Sequence, residues 1–153
     1  MIYAAVLTLH SWIRWLVLLT GIAAFGRAAA GASGRKPWRP SDDRAGFWFV
    51  MALDTQFLLG ILLYAFLSPV THQAFGDFGA AMKNRGLRFW AVEHVVGMLL
   101  GLALAHIGRA RTRKTDSLRR HRVAAIFFGL ALVVILASIP WPGTPNGRPF
   151  LRW

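Results

Sequence analysis

Cysteine is absent from this 153-residue chain, and acidic residues are scarce, with six Asp and Glu against eighteen Lys and Arg. Without cysteine there is no disulfide, no iron–sulfur cluster and no thiolate metal site. The scarcity of acid leaves a formal charge of +12, which on a soluble domain would point to nucleic acid. The placement of the bases argues against that, because they form no face. They sit between long apolar runs, where the positive-inside rule puts them. The runs also lack the two-residue alternation of β-barrel strands. No serine nucleophile arrangement and no extramembrane domain are evident, which argues against a hydrolytic enzyme.

What is present is apolar sequence, 56% of the chain by residue. Four stretches stand out, at about residues 2–26, 46–67, 88–108 and 123–139, each near the ~20 residues that a helix needs to cross the hydrocarbon core. Stretches such as "FFGLALVVILASI" are apolar all round, whereas a soluble bundle would carry a polar stripe. The expected fold is therefore all-α: one integral-membrane four-helix bundle occupying residues 1–153 as a single domain. The first stretch resembles a signal peptide, but its basic residue, Arg14, follows apolar sequence instead of opening the chain, so it is read as a retained span.

The first connection carries Arg27, Arg35, Lys36, Arg39 and Arg44, and the third carries Arg109, Arg111, Arg113, Lys114, Arg119, Arg120 and Arg122. The second has only Lys83, Arg85 and Arg88, and the tail only Arg148 and Arg152. This bias predicts both termini on the outer side of a bacterial inner membrane. Trp38, Trp48, Trp90, Trp141 and Trp153 fall near the predicted interfaces, and "IPWP" ends the fourth helix because proline cannot continue it. The long second connection, "SPVTHQAFGDFGAAMKNRG", is predicted either to cap the outer face or to lie along the interface.

Ionisable groups inside a span are costly and usually serve a site. Those here are His10 and Arg14 in the first helix, Asp54 in the second, and Glu93, His94 and His106 in the third, with Gln56 as a further polar group. At ~1.5 Å rise per residue, His10 and His94 fall within a few ångströms of one depth in the outer half. Two imidazoles on different helices at matched depth suit a bis-histidine haem b site. His94, Gly97, Gly101 and Ala105 share one face, and the missing side chains leave room for a flat macrocycle. Gly97 and Gly101 equally form a GxxxG, which serves close helix packing.

Arg14, one turn from His10, is placed to meet a haem propionate or Glu93, with Tyr3, Ser11 and Arg88 as further outer-end candidates. Gln56, Gly60 and Tyr64 share a face of the second helix. Asp54, Gln56 and Glu93 are candidates for a quinone or proton site, and Asp54 also for a hydrogen-bonded structural role. His106, beside Arg109, is expected to be an interfacial or hydrogen-bonded histidine. His72 and His121, in connections, are given no role.

"LHSWIRW", "QFLLGILLY", "LRFWAVEHVVGMLL", "ASIPWP" and the tail "GRPFLRW" together resemble a family of small bacterial four-helix membrane proteins commonly labelled "cytochrome b". The resemblance covers nearly the whole chain. It implies roles for His10, Arg14, Gln56, Glu93 and His94, and some members of that family have histidine where this chain has Asp54.

The expectation is an electron carrier with one haem b held by His10 and His94, more a carrier than a stand-alone enzyme, exchanging electrons with quinol or a periplasmic carrier. A structural or assembly subunit of a larger membrane complex is the alternative. A third reading is a divalent-metal or quinone site built from His10, Glu93 and His94 without haem. Besides lipid, the expected partners are other complex subunits and not nucleic acid.

Overall fold

The computed structural model describes residues 1–151, with the Leu118 side chain left aside; Arg152 and Trp153, counted above with the tail charges and the aromatic belt, lie outside the described residues. The chain is all-α, with no strand among those residues. In chain order the helices are α1 (Ile2–Ser33), α2 (Pro40–Leu62), α3 (Pro69–Gly76), α4 (Phe78–Lys83), α5 (Arg85–Arg88), α6 (His94–Lys114) and α7 (Ser117–Ser138). Two π-helical turns interrupt them: Leu63–Leu67 prolongs α2, and Phe89–Glu93 joins α5 to α6. Four helical segments, Ile2–Ser33, Pro40–Leu67, Arg85–Lys114 and Arg119–Ser138, are long and apolar enough to cross a membrane. This is a membrane protein.

Several spans run past the apolar stretches predicted for them. The alanine-rich "RAAAGA" prolongs α1, and α6 continues through Arg111, Arg113 and Lys114, whose charges favour the negative end of a helix. At the start of α2, Pro40 occupies a first-turn position that needs no N–H, and Asp42 Oδ2 accepts from Arg39 N at 2.9 Å. Asp42 Oδ1 also receives Arg27 Nε and Nη2 at 3.0 and 2.7 Å, which ties α1 to α2.

Helix α1 packs on α2 and α7, and α6 packs on α7 and α2. Small residues make the approach close, as they do between membrane helices: Ala24, Ala28, Ala52, Ala105, Ala124 and Ala131 are all buried. Phe49 and Phe128 meet edge to face at 5.6 Å in the middle of this core. Gly21 admits Phe49 and Leu132, since a Cβ there would lie 2.8 Å from each. Large apolar side chains such as Leu19, Leu58, Phe66 and Val133 stand exposed on the outside, where lipid is their fitting solvent.

The long second connection folds into α3, α4 and α5. Each starts at a side-chain cap: Ser68, Asp77 and Asn84 accept from Thr71 N, Ala80 N and Leu87 N, respectively. Buried Ala74 and Ala81 then pack with Ala91 of the second π turn, so the connection covers one end of the spans.

Candidate functional site

A cavity opens at the end of the molecule that holds the α3–α5 connection, with about 1030 Å³ of empty space counted to its open mouth. His10 and His94 both line it, on α1 and α6, together with Arg14, Gln56, Tyr64, Trp90 and Arg148. Tyr3 and Ser11 line it as well, and no Asp or Glu among the described residues does.

The local sequence around α7 decides how His94 is held. In a continuous helix the carbonyl of Ser138 would accept from residue 142 and that of Leu136 from residue 140. Both positions are proline and have no N–H. The two freed carbonyls are taken by side chains: Trp141 Nε1 donates to Leu136 O, and His94 Nδ1 donates to Ser138 O, each at 2.8 Å. Facing a carbonyl, His94 Nδ1 must carry the proton, so Nε2 keeps its lone pair. The ring packs against the Phe89 and Trp90 pair, with centroids 5.8 and 5.6 Å away.

His10 is held differently. Its Nε2 meets the Gln56 amide nitrogen at 3.1 Å, and Gly60 leaves space beside the ring, where a Cβ would lie 3.4 Å from Cε1. His10 Nδ1 and Gln56 Oε1 are buried without a hydrogen-bond partner among the described residues. Turning the Gln56 amide by half a turn would let Oε1 accept from His10 Nε2–H and leave Nδ1 with a bare lone pair. In either arrangement Nδ1 is the nitrogen left over, and such orphaned buried atoms call for an occupant or for water.

The tail closes part of the mouth. Thr144 N donates to Trp141 O at 3.1 Å across Pro142–Gly143, with Gly143 at φ 87, the signature of a type II turn. The reversed chain brings Arg148 N to Pro140 O and lays the Arg148 guanidinium 4.9 Å from the centre of the Trp90 ring. Arg14 Nη2 and Trp15 Nε1 both donate to the carbonyl of Phe150, at 2.8 and 3.0 Å, while Arg14 Nε is buried without a partner among the described residues. Among the described residues the cavity thus holds two guanidiniums and no carboxylate.

The remaining candidates lie elsewhere. Gly97 and Gly101 do not line the cavity; they face α7, where a Cβ at 97 would overlap Ser138 Oγ and one at 101 would sit 2.7 Å from Ile135. Their missing side chains let α7 approach, and Gly97 brings Ser138 within reach of His94. Glu93 turns away and pairs with Arg88 at 2.7 Å, so neither Arg14 nor the histidines receive it. Among the described residues no group of three His, Asp or Glu is placed to hold a metal ion, and Glu93 does not join His10 and His94. Asp54 accepts from His106 Nε2 at 2.7 Å on the outward side of α2 and α6, apart from the cavity. Asp54, Gln56 and Glu93 therefore occupy three separate places.

Two contributors escape the sequence reading. Arg148 was legible in principle, since Trp-Pro-Gly-Thr is a turn signal that folds the tail back. His121 is buried under the α1–α2 connection and packs at a tilt against Trp38, with ring centroids 4.9 Å apart. Its setting in "RRHR" carries no sign of burial. No family model, curated protein or solved structure matches the chain.

Proposed function

We propose that the chain is a four-helix bundle of the bacterial inner membrane, both termini outside, that binds one haem b between His10 and His94 and carries single electrons. The observation that carries this reading is the pair of imidazoles in one cavity, with His94 locked by Ser138 so that Nε2 is free of a proton. A ligating histidine commonly has its other nitrogen held in this way. The cavity's other polar groups fit the same occupant: Arg14 and Arg148 suit anionic propionates, and Trp90 and Met98 suit an apolar ring. Bound haem supplies a reversible one-electron couple whose potential follows its ligands and burial. The chain's own part is to hold His94 in one tautomer, to steady His10 through Gln56, and to neutralise the carboxylates at the mouth. Quinol or a periplasmic carrier is the fitting electron partner.

A second reading, a structural subunit of a larger membrane complex, has its own support. The Asp54 and His106 side chains keep 35% and 50% of their surface exposed on the outward side of two spans. A polar pair so placed suits cover by a neighbouring helix.

A reduced-minus-oxidised absorption spectrum with a pyridine haemochrome assay tests the first reading. About one haem b per chain is expected, lost in His10→Ala and His94→Ala and kept in His106→Ala. Retention of low-spin haem in both of the first two variants would overturn the site, and a colourless folded protein from haem-replete cells would transfer the case to the subunit reading.

A further inference from the structure

A second pocket lies at the arginine-rich end, away from the two cavity histidines. We propose that it binds a phosphate group, carried either by inorganic phosphate or by a lipid headgroup. The pocket encloses about 570 Å³ counted to its mouth and is lined by Arg27, Lys36, Arg39, Asp42 and His121, with Gly31 as its floor.

Charge comes first. Three permanent cations face one carboxylate, and that carboxylate is already engaged by Arg27 on Oδ1 and by Arg39 N on Oδ2. Neither Lys36 nor Arg39 forms an ion pair among the described residues. Both are exposed, so the site keeps two uncommitted cations. A phosphate offers several strong acceptor oxygens to both bases, while the one carboxylate of the pocket, Asp42, is held by Arg27 and Arg39 N and lies 3.8 Å from His121 Nε2.

The pocket is also built, in two respects. His121 is buried, with 3% of its side-chain surface exposed, and its Nδ1 has no partner among the described residues. The ring fits only because residue 31 is glycine, since a Cβ there would overlap the imidazole. Beside it, Arg35 adopts a left-handed φ of 47, a conformation that disfavours a side chain. That turn lets Lys36 N donate to Gly31 O at 3.0 Å and sets Lys36 over the pocket. An αL residue closed by such a bond is a common way for a helix to end. The pocket also lies just beyond the apolar part of α1.

The test uses the full chain, delipidated in a neutral detergent, with thermal unfolding followed at constant ionic strength. The probes are inorganic phosphate and short-chain phosphatidylglycerol. A saturating stabilisation by either is expected, with half-saturation about tenfold weaker in the Lys36→Ala/Arg39→Ala double variant. Arg113→Ala/Lys114→Ala removes the same charge outside the pocket and is expected to bind as the parent does. A response to phosphate identifies a soluble source, and a response to the lipid alone identifies a headgroup. No saturable response to either probe, or equal weakening in both double variants, would overturn the proposal.

Discussion

His94 and Ser138 are joined by a 2.8 Å hydrogen bond from an imidazole N–H to a main-chain carbonyl that the helix itself cannot use. Pro142 removes the donor that would otherwise compete, and Gly97 removes the side chain that would keep α7 away. The tautomer of His94 is thus set by residues on two helices.

Pro142→Ala restores an N–H within reach of the Ser138 carbonyl and extends the helical option at the end of α7. Nitrogen NMR of histidine-labelled protein is expected to show His94 protonated at Nδ1 in the parent and a mixture of tautomers in the variant. An unchanged tautomer would mean that Pro142 does not govern it.

Gly97→Ala places a methyl group on Ser138 Oγ, an overpacking that costs about 1–3 kcal/mol when the backbone must shift. Gly26→Ala is the paired control, since nothing lies within 4 Å of its added Cβ, and a helical alanine there is expected to stabilise by up to ~1 kcal/mol. Reversible unfolding in mixed micelles distinguishes the two; equal effects would remove the packing argument.

Tyr64 and Ala91 link the two π turns, the hydroxyl donating to the carbonyl at 2.7 Å. A π turn leaves a carbonyl short of its usual partner, and Tyr64 supplies one. Tyr64→Phe is expected to cost about 0.5–1.5 kcal/mol and to speed amide exchange in residues 89–93. Unaltered exchange would show that the second turn holds without the first.

Arg35→Gly relieves the left-handed strain at the end of α1. The strain is worth roughly 1–2 kcal/mol, and the freer unfolded chain returns about 0.4–1 of it. A rise in stability of about 0.5–1 kcal/mol is expected in denaturant titration, and a loss would show that the Arg35 side chain itself contributes.

The four spans were legible because length and apolarity are properties of sequence alone. Their ends were less so, since Arg27 and the arginines after His106 interrupt the apolar runs while alanine and arginine continue a helix by propensity. His10 and His94, which the fixed rise per residue puts at a similar distance along their helices, line one cavity. Three- and four-residue spacing put Gly97 and Gly101 on a common face but not opposite a particular neighbour. That face meets α7 beside the cavity. The burial of His121 depends on Gly31, ninety residues earlier in the chain, a pairing that no local pattern expresses.

Arg14 and Trp15 grip the tail by the main-chain oxygen of Phe150, and Arg148 returns to the main chain of Pro140. Both grips take main-chain oxygens, and the Phe150 ring adds contacts with Trp15 and Trp141, at centroid distances of 6.2 and 6.4 Å. The tail is therefore specified twice over. One residue inserted or deleted between 143 and 149 draws the Phe150 oxygen away from Arg14 and Trp15. A small side chain at 150 keeps that oxygen in register but gives up the aromatic contacts that press the tail down.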